Sequence, residues 1–529
     1  MADAWQTYPV EFNGGLISNL SPLQQGLNAP GSATTLINFE PSIEGGYRRI
    51  QGFEKFGSSN AVAVDSATSV IRGIHRYDGD VIVARGTKLY ASGTGTSWTT
   101  LSSSLGGSNK VRFAKYNFGT EKLIVVDGSN KPFTFDGTTF TALAKAGSSL
   151  TGADFVTVFK TTIFIGNGTK LIYSEPRADL DAQQKNGSIS LLFDTARGSG
   201  EIDVGATITD LIVFRDQLVV FTTNKILRVS GSSISDFDIQ PISDDLGAVE
   251  EDTAREIGGD VMFLAPDGLR LLSATDRIGD FGLAVVSKSI QKELLQVINA
   301  STTFASLVIR GKSQYRLFGF NTGYTDDAAL GVLGTQFAGQ GGQNMAWAEL
   351  RGINAHVAYS EYENEEEFVY FANDDGFIYQ LEKGDSFAGA NVPASFRSPY
   401  LPLEDPRMRK TFYKAVVYTD PTGTVDFDFS LKLDFDRTNT GLVQPPAINL
   451  NATQSDLYFF DDPDVKFSDS LSEGQAGFAA FAGSANESIF ETPVIGSGFT
   501  VAIDIQSDNT NPPFSLDATT IEYVTNSRR

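Results

Sequence analysis

Thr162-Ile163-Phe164-Ile165-Gly166-Asn167-Gly168-Thr169-Lys170-Leu171-Ile172-Tyr173 holds two apolar runs on either side of a short polar tip. A turn pair set directly before an apolar strand reads as a β-hairpin. The arrangement returns at Thr87-Lys88-Leu89-Tyr90, Asn130-Lys131-Pro132-Phe133-Thr134-Phe135, Asn224-Lys225-Ile226-Leu227, Asp267-Gly268-Leu269-Arg270-Leu271 and Asp375-Gly376-Phe377-Ile378-Tyr379. A strand-like run lies upstream of each tip, at 81–84, 123–126, 218–222, 261–265 and 368–372. Between 69 and 398 the unit recurs roughly every 40 to 55 residues, the period of a β-propeller. The longer gap between the last two tips has room for one more unit, built on 314–320 and 346–350, so about seven blades are expected. A large irregular β-sandwich is the competing reading of the same runs.

The ends of the chain differ from this repeat. Residues 1–57 read as an extended N-terminal arm, punctuated by Gly and Pro, with Trp5, Tyr8, Phe12, Leu16, Phe39, Tyr47 and Phe53 as apolar anchors. A segment with so little periodicity does not bury a core of its own, so the arm is expected against the propeller or a neighbouring subunit. The propeller is expected over 58–398 and a C-terminal β-sandwich-like domain over 399–529. There, Val425-Asp426-Phe427-Asp428-Phe429-Ser430-Leu431-Lys432-Leu433 alternates apolar and polar residues as a half-buried strand does. A long acidic insertion, 449–491, interrupts that domain. One helix is expected over 286–300, where Val286, Ile290, Leu294 and Val297 recur at helical spacing, packed beside the fifth blade. The fold class is therefore all-β.

Composition removes several chemistries. The 529-residue chain has no cysteine, hence no disulfide, thiolate metal site or cysteine nucleophile, and only His75 and His356 are available for a triad or a multi-histidine zinc site. Both histidines are read as packing or surface residues. A net charge of −23 argues against tight nucleic-acid binding, which depends on Lys and Arg neutralising phosphates. No apolar run approaches the length of a membrane-spanning helix. Met1-Ala2-Asp3-Ala4-Trp5 lacks the basic start and apolar core of a secretory signal. Asp461, Asp462 and Asp464, or Asp374 and Asp375, could hold Ca²⁺ through oxygen ligands, although exposed acidic turns are the commoner explanation of such runs. No pair of carboxylates stands out as a glycosidase pair.

The order of motifs resembles a family. Asn13-Gly14-Gly15-Leu16, Asn38-Phe39-Glu40-Pro41, Gly45-Gly46-Tyr47-Arg48-Arg49-Ile50-Gln51-Gly52-Phe53, Leu246-Gly247-Ala248, 258–268, 375–381, Pro406-Arg407-Met408-Arg409-Lys410-Thr411, Gly496-Ser497-Gly498 and Ile521-Glu522-Tyr523 together resemble the tail hub or nozzle proteins of short-tailed bacteriophages. The resemblance implies a virion protein, not an enzyme, with no cofactor or metal. It further implies a homo-oligomeric ring, six copies favoured, that adjoins other tail proteins and bounds the DNA channel. Arg48, Arg49, Arg407, Arg409 and Lys410 are the candidate subunit contacts, because Arg can fork two hydrogen bonds onto a neighbour's carboxylate. A tail-fibre or baseplate adhesin for host glycan is the first alternative, and a propeller polysaccharide depolymerase the second.

Overall fold

The run Val81-Ile82-Val83-Ala84 is apolar at every position because both of its faces are covered. Val81 and Val83 pack with Val357, Tyr370 and Ile378, while Ile82 and Ala84 pack with Val111, Leu123, Val125 and Phe135. The second strands that follow repeat this division. Leu123 and Val125 face one way and Ile124 and Val126 the other; Ile163 and Ile165 are set against Phe164, and Leu218 and Val220 against Val219 and Phe221. A strand sandwiched between two neighbours loses the apolar–polar alternation of a half-exposed one.

The computed structural model describes residues 5–57, 60–63, 70–102, 105–143, 150–175, 193, 198–231, 236–273, 275, 285–323, 328–339, 342–436, 443–452 and 489–526. Nearly all of the acidic insertion, with Asp461, Asp462 and Asp464, lies outside them. The chain forms two units, Phe53–Lys383 and Met1–Gly52 with Gly384–Arg529. The divisions thus fall at 52/53 and 383/384 rather than at 57/58 and 398/399.

Among its described residues the unit Phe53–Lys383 contains seven antiparallel strand groups: six separate sheets of three or four strands, and the four strands Thr303–Ile309, Gln314–Phe320, Leu330–Gly339 and Gly342–Arg351, which form part of a nine-stranded sheet and are counted below as the sixth sheet. Their first strands are Ile71–Tyr77, Arg112–Asn117, Phe155–Phe159, Ile208–Phe214, Arg255–Ile257, Thr303–Ile309 and Val357–Glu363. Their second strands are Asp80–Arg85, Glu121–Val126, Thr162–Asn167, Gln217–Thr222, Asp260–Ala265, Gln314–Phe320 and Glu366–Ala372. The polar tips read from the sequence lie between second and third strands. The seventh sheet takes its last strand, Phe53–Lys55, from the start of the unit, with Gln380 opposite Glu54.

Each sheet touches the next. Tyr77 donates to the Glu121 carbonyl (2.8 Å), Tyr116 to the Thr161 carbonyl (2.7 Å) and Arg215 to the Gly259 carbonyl (2.5 Å), while Lys160 pairs with Asp216. Arg255 donates to the Ser306 carbonyl (3.1 Å), the Arg310 amide to Glu367 (2.8 Å), and Arg76 pairs with Glu363 at 2.7 Å. The last contact joins the seventh sheet to the first.

The expected helix is present as Gln291–Ala300, after a 3-10 turn at Lys288–Ile290, and buries Leu294 and Val297. It packs against Gln314–Phe320 and Leu330–Gly339 of the sixth sheet, and the turn that leads into it lies against the fifth, where the Val286 amide donates to the Leu269 carbonyl and the Leu269 amide to Ser287, both at 2.9 Å. A second helix, Pro22–Asn28, is short and lacks apolar periodicity. Its signal is local: Ser21 caps the Gln24 amide and proline opens the first turn.

In the other unit the N-terminal segment is woven into a sheet. Gln6–Glu11 pairs antiparallel with Phe514–Thr525, Phe39–Pro41 with Tyr47–Arg49, and Tyr47–Arg49 again with Phe514–Thr525. Lys410–Pro421 and Ile489–Gly498 complete that sheet. The arm therefore rests on its own C-terminal strands. Strands of three residues are too short to show a period of two, which is why the sequence reads as aperiodic. Tyr47 fastens the glycine-rich stretches together: its hydroxyl donates to the carbonyls of Asn13 (2.6 Å) and Gly31 (2.8 Å) and accepts from the Gly15 amide at 3.1 Å. A side chain at Gly52 would strike the backbone of Ser386. A further set of strands, Thr35–Ile37, Val392–Arg397, Val501–Asn509, Val425–Leu433 and Ile448–Ala452, carries Phe427, whose ring meets Phe490 and Phe514 of the first sheet, both at 5.4 Å.

Candidate functional site

First strands carry many of the unit's ionisable side chains: Arg72, His75, Arg76, Arg112, Lys115, Asp210, Arg255, Glu361 and Glu363. The reason is positional, since the first strands of all seven sheets line one axial cavity of about 360 Å³. Its walls mix apolar groups such as Ile74, Phe113, Leu211 and Val308 with ionised ones.

Asp252 anchors the ion network. It receives Arg112 through Nε (3.0 Å) and Nη2 (3.1 Å), and Lys110 at 2.9 Å; Arg112 also pairs with Glu251 at 2.7 Å and lies 4.0 Å over the Phe155 ring. Burial works against this carboxylate, but Arg112 and Lys110 outweigh it and hold Asp252 well below the ordinary carboxylate range. Asp210 is the contrary case. It is 7% exposed, one oxygen accepts the Leu211 amide (2.9 Å), and the other accepts no hydrogen bond, with Arg255 at 3.5 Å. Burial pushes it up to about 6 against the pull of Arg255.

His75 reaches the same cavity, its ring 5.5 Å from Phe113 and 5.2 Å from Tyr359. Burial, reinforced by Lys115, lowers it to about 3, so the imidazole is neutral, and its Nε2 has no hydrogen-bond partner. His356, lowered to about 4 chiefly by burial, pairs Nδ1 with the Ile71 carbonyl at 2.8 Å. Among the described residues neither histidine is hydrogen-bonded to a serine or threonine hydroxyl. Asp375 uses both oxygens, one for the Phe377 amide (2.8 Å) and one for the Tyr379 hydroxyl (2.6 Å), which makes it the clasp of a turn. Among the described residues no three metal-ligating side chains gather.

The five basic residues expected at subunit contacts part into two groups. Arg49 is fully buried, donating to Ser507 (3.2 Å), to the Asn509 side chain (2.6 Å) and to the Asn511 carbonyl, and burial draws it down to about 10. Lys410 is likewise buried, held by the carbonyls of Pro402 (2.6 Å), Asp405 and Phe499 (3.2 Å). Both are internal ties between loops and strands of their own unit, so neither offers its charge to a neighbour. Arg48 is half-buried. Arg407 is exposed and pairs with Asp405 two residues away at 3.1 Å, and exposed Arg409 donates to Ser497 at 2.8 Å. Sequence position alone does not separate these two groups, because burial here is set by strands distant in the chain.

No family model matches the chain, and no curated protein matches it. Solved structures resemble it distantly. The extracellular domain of BT4673 from B. thetaiotaomicron aligns with a TM-score of 0.36 and 12% identity over 73% of this chain, which spans only 44% of that one. BBS1N, solved in complex with ARL6DN, aligns at 0.37 and 10% identity over 63% of this chain and 98% of its own. The AfRom2 CNH domain aligns at 0.35 and 8% identity, covering 61% and 99%. Likenesses of this size leave the function to be argued from the molecule itself.

Proposed function

We propose that this chain is a structural protein of a tailed-phage virion, with the hub or nozzle of the tail as its position. In this reading residues 53–383 are a seven-bladed propeller closed by the strand Phe53–Lys55, and the other unit is a two-sheet sandwich. One observation carries the proposal. Five stretches of the resemblance, scattered from Asn38 to Tyr523 along the chain, meet in a single sheet built from Phe39–Pro41, Tyr47–Arg49, Lys410–Pro421, Ile489–Gly498 and Phe514–Thr525. Lys410 stands opposite Gly498 and Phe412 opposite Tyr523. Motifs that converge in space describe one shared scaffold rather than chance matches.

The mechanism is assembly. Copies pack heterologously around a symmetry axis until the ring closes. The propeller's own axis is crossed by the Lys110, Arg112 and Arg255 ion pairs. The genome conduit is therefore the one bounded by several copies, where the acidic surface limits adhesion of DNA. Sedimentation of the purified protein, with electron microscopy of the heavy fraction, is expected to show closed rings. The pair Arg407→Ala and Arg409→Ala leaves the monomer folded and weakens the ring, most strongly at low salt where charge pairs are least screened. A wild-type protein that stays monomeric at every concentration defeats the reading.

A further inference from the structure

The polar atoms of the axial cavity are unevenly served. Arg112 and Asp252 satisfy each other, and Ser306 and Ser360 donate to the carbonyls of Asp252 (2.6 Å) and Val308 (2.8 Å). The polar atoms without a hydrogen-bond partner include one carboxylate oxygen of Asp210 in the fourth sheet and His75 Nε2 in the first. A buried acceptor without a donor is a standing cost to the fold. A ligand that supplies the donor removes that cost.

The surroundings narrow what the donor can be. Arg255 at 3.5 Å and Arg112 beyond it repel an ammonium group, while a deprotonated anion has no hydrogen to donate to a carboxylate oxygen. That leaves a neutral hydroxyl or amide N–H. Around these polar points the walls are Ile74, Phe113, Val156, Leu211 and Val308, surfaces suited to the C–H face of a small ring. The volume of about 360 Å³ falls at the small end of the range of roughly 300–1,000 Å³ typical of ligand pockets.

We infer that this cavity binds one small neutral polyol of monosaccharide size, its hydroxyls donating to Asp210 and meeting the His75 imidazole. The site is independent of the tail reading, since it lies wholly within the unit Phe53–Lys383. It differs also from an adhesin surface, because the cavity admits a single ring and not a chain.

The chain contains only two histidines, which makes the test direct. Full-length protein is titrated at neutral pH with glucose, galactose, mannose, N-acetylglucosamine and myo-inositol. Binding is read by calorimetry and by the imidazole proton resonances. At least one of these is expected to bind saturably at one per chain and to move the His75 signals, while those of His356, outside this cavity, stay in place. Asp210→Asn keeps the acceptor for the Leu211 amide and is expected to lower affinity about tenfold or more, as loss of a charge-assisted hydrogen bond does. Exposed Asp238→Asn serves as the control and leaves affinity unchanged. If no member of the panel binds saturably at millimolar concentration, or binding survives Asp210→Asn intact, or the His75 signals do not respond, the inference is wrong.

Discussion

Asp210 and Asp252 are both buried carboxylates of one unit, yet their surroundings drive them apart. Asp252 is surrounded by Arg112 and Lys110 and stays ionised, whereas burial dominates at Asp210 and raises it from 3.8 to about 6. The sign for stability follows. A carboxyl whose folded pKa is raised contributes stability that is fully present below its unfolded value and is lost as pH rises through the folded one. At pH 7.5 the wild type has lost that contribution, and Asp210→Asn, neutral throughout, has not. The variant is therefore expected to be more stable by about 3 kcal/mol at pH 7.5, an advantage that fades between about pH 6 and pH 4. Urea unfolding across that range checks it; equal stability at every pH would count against the assignment. A residue that costs stability while facing a cavity is the pattern of a functional position. None of this was legible in the sequence, where Asp210 is one of 64 acidic residues and nothing local marks it. The histidines were legible only as to class: their rarity excluded a triad, but that His75 lies on the axis depends on how seven strands converge.

At the scale of elements, the hairpins divide by how openly they are written. Turns between second and third strands carry Gly, Asn or Asp and are readable as chemistry. Some turns between first and second strands also hold glycine, at Gly79, Gly119 and Gly258-Gly259, but three place Lys160-Thr161, Arg215-Asp216 and Asn364-Glu365 in the left-handed region, where glycine is preferred. Those residues do not look like turns. They are tolerated because the flanking strands and the ties to the next sheet outweigh the local preference. Thr161, β-branched at φ 64°, is the most strained of them. Thr161→Gly is expected to stabilise the protein by about 1 kcal/mol, since the Tyr116 hydrogen bond ends on the backbone carbonyl and survives the change. A higher denaturant midpoint with an unchanged slope is the expected signature; a lower midpoint would show that the threonine side chain stabilises the turn in another way.

For the whole molecule, the N-terminal segment decides what a truncation does. Val10, Phe12, Leu16, Leu36, Phe39, Tyr47 and Ile50 are all buried in the unit they share with residues 384–529. At roughly 1.5 to 3 kcal/mol for each large apolar side chain, their loss exceeds the 5–15 kcal/mol by which a typical domain is stable. Deleting residues 1–52 is thus expected to unfold that unit while the seven sheets, including Phe53–Lys55, keep their protection. Hydrogen exchange followed by mass spectrometry reads both at once, and full protection of 410–421 in the truncated chain would refute it. By itself the sequence determined the β class, the period of the repeat, the second strands and the tips after them, because each is written in a few consecutive residues. The tertiary structure alone decided that the N-terminal strands close onto the C-terminal ones, that Arg49 and Lys410 are internal, and that Asp210 and His75 face a common cavity. The physical reason is the same in each case: burial and electrostatic environment are set by partners on other elements, from tens to hundreds of residues away, and no local pattern encodes a neighbour's position.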